Sequence, residues 1–275
     1  MFTTSHEIAN QENYKKSADL HNKFCLDSTL YLAYRDIPAL LEKHLFKQNN
    51  KESYRILDFG CGAGLSTEII SKIILSSGYK VDIVGVDLSE ENLKFARERI
   101  PHAEFVKTNP NQCLKRLGDF DLIVCNFVLV ENQHGNMVNI LKAIQPLLKD
   151  TGILITTNCT SKVYQRSMKW RSFNNDFVEN TPHQTKDGKL KFEEDQPVKL
   201  QILTGKDSFT FFDFFHSERD YKSAYEIAEL KLSETHKPLG LETDNMPWQS
   251  ESKYSPYKIH VLTKQPIQKL LTHVL

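Results

Sequence analysis

The sequence has few cysteines, and none of them stands in a pattern that binds zinc. The five cysteines are an odd number, no two form a CxxC pair, and no histidines have the spacing of a paired ligand set. These features predict reduced thiols and no metal site. A chain of 275 residues can bury roughly 70–75% of its unfolded surface, so it needs neither disulfides nor a structural metal.

Long apolar runs are also absent. Residues 1–23 are polar and lack the apolar region of a secretory signal, and no later segment approaches the ~20 apolar residues of a membrane span. The sequence therefore predicts a soluble, cytoplasmic protein with no membrane partner. Export by a route that needs no such signal would leave the same pattern and stays open.

An excess of either charge is the third absence. Lysine and arginine total 35, aspartate and glutamate total 35, and the formal net charge is zero. This balance disfavours a nucleic-acid partner bound through bulk charge, although a local basic patch remains compatible with it.

The sequence does contain a regular alternation of strand and helix patterns. Short apolar segments alternate with segments whose apolar residues recur at helical spacing. Such alternation predicts a parallel sheet with right-handed crossovers. The predicted strands are 54–60, 81–88, 103–108, 120–130 and 152–158, and the predicted helices are 65–77, 89–100 and 137–148.

The regions on either side of this core are less regular. One or two short helices are expected before the sheet, and an aromatic-rich region with a β-hairpin is expected after its fifth strand. A last strand is expected to close the sheet antiparallel to its neighbours. These segments are the helices at 31–46, the hairpin strands 197–203 and 208–217, a helix at 219–230, a long connection at 233–256 and the closing strand 257–265.

Three glycines stand between the first predicted strand and the helix that follows it. Gly60, Gly62 and Gly64 form a GxGxG turn, which lets the backbone approach a ligand while the helix N-terminus offers unpaired N–H groups. Leu65 occupies the place of the third glycine of the dinucleotide pattern GxGxxG, so NAD binding is disfavoured. Tight packing between strand and helix is the alternative explanation of the turn.

An acidic residue ends the second predicted strand. Asp87 lies 23 positions beyond Gly64, where a carboxylate on the adjacent strand can accept hydrogen bonds from both ribose hydroxyls. The alternative role for Asp87 is helix capping, but Ser89 already supplies that cap.

Together these features resemble the class I S-adenosylmethionine-dependent methyltransferases, strongly over residues 54–160 and more weakly in the C-terminal strands. The first motif of that family, an acidic residue followed by GxGxG, matches residues 58–64. The resemblance implies that S-adenosylmethionine is the cofactor and S-adenosylhomocysteine the product. The cofactor-binding residues that it implies are Asp58, Gly60, Gly62, Gly64, Asp87 at the ribose, Leu88 at the adenine, Thr108 or Asn109 at the adenine amino group, Asn126 and Phe127 at the methionine end, and Tyr31 and Arg35 at the methionyl carboxylate.

Some of these assignments have alternatives. A guanidinium binds a carboxylate through two hydrogen bonds, but Arg35 could equally be a solvated helix residue. The family's amine-modifying subgroup carries a [DN]PP[YFW] tetrapeptide, and residues 125–128 contain no proline. Cys61 in the glycine turn has no histidine partner in sequence reach and is interpreted as a small packed residue.

The resemblance also suggests a division of the chain. Residues 1–48 form an N-terminal helical cap, 49–160 the cofactor-binding core, 161–217 an aromatic-rich insert on the substrate side, and 218–275 the rest of the sheet. The insert has a fainter likeness to toxoflavin-synthase-like methyltransferases. Its aromatic side chains are expected to divide between core packing and the roof of a substrate pocket; they are Trp170, Phe173, Phe209, Phe211, Phe212, Phe214 and Phe215.

The predicted fold is a Rossmann-like, doubly wound, mostly parallel α/β sheet of seven strands in the order 3-2-1-4-5-7-6, with the last strand antiparallel. The predicted function is methyl transfer to a nitrogen or oxygen of a small molecule, mainly by alignment of the reactants. His216 and His134 are candidate general bases, with packing as the alternative for each. A protein or RNA acceptor, and an inactive cofactor-binding homologue, are the competing functions. The sequence leaves the acceptor and the oligomeric state open.

Overall fold

The computed structural model describes residues 4–16, 18–48, 51–108, 114–174, 176, 183–184 and 190–266. It contains a seven-stranded sheet and two small two-stranded sheets. The strands are β1 Ser53–Phe59, β2 Lys80–Asp87, β3 Glu104–Lys107, β4 Phe120–Asn126, β5 Leu148–Cys159, β6 His183–Gln184, β7 Leu190–Lys191, β8 Pro197–Thr204, β9 Asp207–Phe214, β10 Leu230–His236 and β11 Tyr257–Lys264.

The order of the large sheet is β3-β2-β1-β4-β5-β11-β10. Strands β1 to β5 are parallel, and β11 is antiparallel to both β5 and β10. With β10 and β11 counted as the sixth and seventh strands, this confirms the predicted order 3-2-1-4-5-7-6 and the antiparallel last strand.

Helices cover both faces of the sheet. They are α1 Ser5–Lys16, α2 Ala18–Asn22, α3 Ile37–Leu41, α4 Leu65–Ser76, α5 Glu90–Arg99, α6 His134–Ile144 and α7 Glu218–Ile227. Their starts follow the local sequence: Ser89 accepts the backbone N–H of Asn92 at α5, and Ser217 and Asp220 form a reciprocal capping box at α7. No described helix is long and apolar enough to cross a membrane.

The central strands are buried on both faces. Because successive side chains of a strand point in opposite directions, Ile56 of β1 joins the core beneath α3 and α4, whereas its neighbour Leu57 joins the core beneath α6 and α7. All seven residues of β4 are buried, as expected for a central parallel strand.

Two parts of the fold were not predicted. Strand β10 occupies residues 230–236, at the start of the segment that was expected to be a connection. Only Leu230 of this edge strand is fully buried, so its sequence lacks the apolar signal on which the other strand predictions relied. Helices α1 and α2 are also polar, so they too lack an apolar pattern. Asn10 of α1 hydrogen-bonds to the backbone of Phe212 in β9.

The segment 31–46 contains the predicted short helices, in an irregular form. A 3₁₀ turn at Thr29–Ala33 is followed by α3 and then by a π-type turn at Glu42–Phe46. The predicted hairpin is confirmed, since β8 and β9 pair antiparallel from Pro197 opposite Phe214 to Thr204 opposite Asp207.

Candidate active site

A cavity of about 900 Å³ lies at the carboxyl ends of the parallel strands, where open α/β sheets bind their ligands. The glycine turn, the loops after β2 and β3, and the end of β4 with Phe127 form one half of it, which we call the turn half. Helix α1, the β8–β9 hairpin and residues 128–133, which we call the segment after β4, surround the other half, which we call the roofed half. The turn half is lined by Gly60, Gly62, Asp87, Leu88, Thr108, Asn126 and Phe127.

The glycine turn requires glycine for conformation and for packing. Gly60 has φ +76° and Gly64 has φ +85°, in the left-handed region that side chains disfavour. A Cβ added at Gly60 would lie 2.3 Å from Cγ2 of Val128, and one at Gly64 would lie 3.0 Å from the Cα of Ala96. Gly64 does not line the cavity, so its role is the close approach of α4 to α5.

Asp87 connects the glycine turn to the end of β2. Its carboxylate accepts the backbone N–H of Gly62 at 2.9 Å and that of Ser89 at 2.8 Å. Burial raises the pKa of Asp87 above its usual value, while these hydrogen bonds act in the opposite direction. A carboxylate has about four acceptor sites, so Asp87 retains acceptor capacity toward the cavity that it lines.

Asp58 lies beneath the turn and not in the cavity wall. It is buried and accepts a hydrogen bond from the Thr67 hydroxyl at 2.6 Å, and burial raises its pKa to about 7. The expectation of direct cofactor contact by Asp58 does not fit this position. Asp58 instead fixes the first turn of α4 to β1.

Tyr31 and Arg35 are also outside the cavity wall. The Arg35 guanidinium donates to Asp36 at 2.8 Å, to Asp244 at 2.9 Å and to the carbonyl of Leu239 at 2.7 Å. The Tyr31 ring stacks near Trp248. These positions do not support the predicted contact with the methionyl carboxylate, which stays a prediction; for Arg35, intramolecular acceptors already occupy the guanidinium.

Within the predicted helical segment 31–46, Tyr34 lines the cavity. It is buried, and its hydroxyl contacts the side chains of Ser66 and Asn126. The Asn126 amide donates to Ser66 at 3.1 Å, and its Oδ1 atom is buried with no hydrogen-bond partner among the described residues. The last predicted position, Asn109, lies outside the described residues.

The two histidine candidates for a general base do not line the cavity either. Nε2 of His216 lies 2.8 Å from the carbonyl of Asn132, and Nε2 of His134 lies 3.2 Å from the carbonyl of Asp220. Burial lowers the pKa of His216 to about 4. Both rings join the segment after β4 to the start of α7, so packing is the role that the structure supports.

Helix α1 is fixed over the roofed half by polar contacts. The Asn10 amide pairs with the backbone of Phe212 in both directions, at 2.7 and 2.8 Å. Glu7 accepts hydrogen bonds from the backbone of Gln133 and the side chain of Asn136. The helix therefore closes the cavity without an apolar stripe of its own, which is why the sequence pattern missed it.

Two carboxyl groups lie in the roofed half, the half-buried Glu131 and the fully buried Asp213, and sequence reasoning missed both. Glu131 stands near the end of the segment after β4 and accepts a hydrogen bond from the Tyr14 hydroxyl of α1. Asp213 is fully buried on β9 and accepts the Tyr164 hydroxyl at 3.0 Å. Asp213 shares a strand face with Phe209 and Phe211, since side chains at alternate positions point the same way; this lone acid among inward-facing aromatics was the available signal.

The electrostatic surroundings of these two acids are negative. Among the described residues, no lysine, arginine or histidine nitrogen lies within 4 Å of Glu131 or Asp213, whereas Lys23 and Arg171 at the cavity wall pair with Asp207 and Asp27. Burial raises the pKa of Asp213 to about 7, and burial with the nearby Asp213 raises that of Glu131 well above its usual range.

The aromatic residues of the insert divide between the cavity and the core. Phe173, Phe209 and Phe211 line the cavity. Trp170 is buried elsewhere, and Phe215 stacks on Phe192 with ring centroids 4.0 Å apart. Phe212 and Phe214 contact the ring of His6 in α1. The roof is thus built by one face of β9 and by Phe173.

Comparison with known proteins places this geometry in a family. Residues 50–218, more than half of the chain, match the family model described as a methyltransferase domain. The chain belongs to this methyltransferase family. Its sheet order and glycine turn have the class I arrangement, whose methyl donor is S-adenosylmethionine, so the resemblance found in the sequence is confirmed.

Individual relatives are distant. A ubiquinone biosynthesis O-methyltransferase of Glaesserella parasuis is 30% identical over 134 residues, which cover 43% of this chain and 51% of that protein. The chain spans about half or less of the length of the first curated relatives that it matches.

Solved structures share the fold over more of the chain. The CcbJ methyltransferase of Streptomyces caelestis has a TM-score of 0.60 at 15% identity and covers 92% of this chain and 98% of its own. An S-adenosylmethionine-dependent methyltransferase of Clostridium acetobutylicum has a TM-score of 0.56 at 16% identity, covering 85% of this chain and 92% of its own. At these identities the likeness establishes the fold alone.

Proposed function

We propose that this chain transfers the methyl group of S-adenosylmethionine to a nitrogen or oxygen of a small molecule. The observation that carries the proposal is that one cavity contains both a class I glycine turn with Asp87 and, beside it, a part lined by side chains of α1, the hairpin and the segment after β4. The first part suits the donor and the second suits an acceptor. We retain the sequence-based division in which residues 1–48 form a helical cap over the cofactor pocket and residues 161–217 form the insert on the substrate side.

The turn half suits the donor in its chemistry. The spare acceptor capacity of Asp87 is placed for the ribose hydroxyls, and Leu88 and Thr108 flank the position expected for the adenine. Asn126 stands at the methionine end, where its unpartnered Oδ1 suits the donor's ammonium group. A buried acceptor without a donor is costly, and a bound ammonium would remove that cost.

The protein's main contribution to the reaction is alignment. The bound donor supplies a methyl group on a positively charged sulfur, which is already activated for displacement. Helix α1 and the hairpin would limit the access of water to the roofed half and hold an acceptor beside the donor site. With the donor bound, this positioning would let the acceptor atom take the methyl group directly, and the bonding electrons would stay with the sulfur.

Calorimetric titration and a turnover assay test the proposal separately. S-adenosylhomocysteine should bind the full chain and raise its melting temperature, whereas NAD should do neither. Formation of S-adenosylhomocysteine from S-adenosylmethionine, measured by mass spectrometry with small-molecule acceptors, should follow. Cofactor binding without turnover on any acceptor would identify an inactive homologue, and turnover only on protein or RNA would replace the small-molecule acceptor.

A further inference from the structure

The roofed half contains a carboxylate oxygen without a partner. The Asp213 carboxyl group accepts the Tyr164 hydroxyl through Oδ2 and contacts the Cys159 thiol, whereas Oδ1 is buried and makes no hydrogen bond of normal geometry among the described residues. Asp213 itself is fully buried and lines the cavity. An unsatisfied buried acceptor costs roughly 1–3 kcal/mol, so a ligand that donates to Oδ1 would gain from filling this site.

A second carboxyl group gives the site its charge preference. Glu131 also lines the cavity, and the nearby Asp213 is one of the causes that raise the pKa of Glu131. An anionic ligand would add negative charge beside these two acids, and an alcohol would supply a hydrogen bond without any positive charge. A protonated amine supplies both the N–H donor and the positive charge.

The surrounding side chains extend the same preference. Phe209 and Phe211 line the cavity on the strand face that carries Asp213, and aromatic rings favour both apolar carbon and a cation near their faces. The described residues contain no group of three or more potential metal ligands.

We propose that the methyl acceptor is an organic amine with an apolar or aromatic body, and that Asp213, assisted by Glu131, binds its nitrogen. This inference rests on the proposed function and narrows its acceptor to nitrogen. The segment after β4 lacks the proline-containing tetrapeptide of one amine-modifying subgroup, so the main contact to the amine comes from Asp213 on β9, and that segment contributes Glu131.

The reaction balances without another reactant. The protonated amine gives one proton to the Asp213 carboxylate, which leaves a lone pair on nitrogen; burial favours this neutral pair over two separated charges. The nitrogen then bonds to the methyl carbon as the carbon–sulfur bond breaks, and the electron pair returns to sulfur. The methylated ammonium can donate a hydrogen bond to Glu131, and Asp213 releases its proton to solvent when the product leaves.

The test compares ligands that share a carbon skeleton and differ in one group. The full chain, saturated with S-adenosylhomocysteine, is titrated with primary amines and their matched alcohols and acids, beginning with 2-phenylethylamine, 2-phenylethanol and 3-phenylpropanoic acid. We expect at least one amine to bind about tenfold or more tightly than its alcohol, and no acid to bind. Methyl transfer from S-adenosylmethionine should likewise occur on amines only.

Two variants and a control locate the effect. Asp213→Asn keeps the shape but removes the charge, and it should weaken amine binding at least tenfold while S-adenosylhomocysteine affinity stays within about twofold. Glu131→Gln should weaken amine binding by a smaller factor, and it replaces Asp213→Asn as the test variant if Asp213→Asn does not fold. Asp150→Asn removes an exposed carboxylate and should change neither. The melting temperature of free Asp213→Asn should be equal or higher, whereas a merely structural Asp213 would lower it.

The outcomes separate the two proposals. Failure of S-adenosylhomocysteine to bind would refute the proposed function. If it binds but the amines bind no better than their alcohols, if none of the amines binds, or if both variants keep the wild-type preference, the amine inference is overturned while the proposed function stands.

Discussion

The two halves of the cavity are built by different means. The turn half is made largely of backbone at the ends of β1, β2 and β4, with three glycines and one carboxylate fixing its shape. The roofed half is made of side chains from α1, β9 and the segment after β4, and polar contacts hold it together. The first half depends on local sequence motifs, whereas the second depends on contacts between residues up to 202 positions apart.

The largest effect on S-adenosylhomocysteine affinity is expected from a substitution at Gly60. Gly60→Ala places a methyl group 2.3 Å from Val128 Cγ2 at a φ of +76°, so the turn must shift away from the cavity. We expect S-adenosylhomocysteine affinity to fall about 100-fold or more, measured by calorimetry. Gly78→Ala has a similar φ of +88° with no atom within 4 Å, so it should cost only roughly 1 kcal/mol of stability and leave affinity unchanged. Equal effects would show that the turn position is not special.

The turn half could be predicted from the sequence and the roofed half could not, and this difference has a physical cause. The turn half was predicted because GxGxG and the acid at the end of β2 are set by the chain's own local geometry. Tyr14, Glu131 and Asp213 carry no such local signal, since a polar helix and a lone acid acquire their roles only when the chain brings α1 onto β9. The pairing of Arg35 with Asp244 could not be predicted for the same reason, because Asp244 lies 209 positions away.

A pH effect of intermediate size is expected from the roofed half. Burial raises the folded-state pKa of Asp213 to about 7 from a usual value of 3.8, although hydrogen bonds from Tyr164 and Cys159 act in the opposite direction. The folded chain therefore binds a proton that the unfolded chain has released, and stability is lost as pH rises from 4 through 7. Between pH 5 and pH 8, the free energy of unfolding should fall by roughly 2–3 kcal/mol more in the wild type than in Asp213→Asn. Urea denaturation at the two pH values measures this, and parallel profiles would contradict the assigned burial.

A smaller effect separates the histidines from the reaction. His216→Ala leaves the Asn132 carbonyl without its ring partner and should cost roughly 1–3 kcal/mol of stability. At a temperature where the variant is folded, turnover on an identified acceptor should stay within about threefold of wild type, and His134→Ala should behave alike. A loss in the range of about 10²–10⁴-fold typical of general acid–base catalysis, with cofactor affinity intact, would restore either histidine as the base.

The smallest effect is expected at Arg35. Arg35→Ala removes a partly exposed set of ion pairs with Asp36 and Asp244, worth about 1 kcal/mol or less of stability. Because the guanidinium does not line the cavity, S-adenosylhomocysteine affinity should stay within about twofold of wild type by calorimetry. A tenfold loss would return Arg35 to the cofactor site.

The proposed cofactor site depends most directly on Asp87, the carboxylate at the end of β2 that lines the turn half. The deciding measurement is the calorimetric affinity of S-adenosylhomocysteine for the wild type, for Asp87→Ala and for Asp82→Ala, which removes an exposed carboxylate from the same strand. We predict that Asp87→Ala weakens the binding of S-adenosylhomocysteine by roughly 1–3 kcal/mol and that Asp82→Ala leaves it unchanged. Wild-type affinity in Asp87→Ala, or no binding by the wild type, would contradict this prediction.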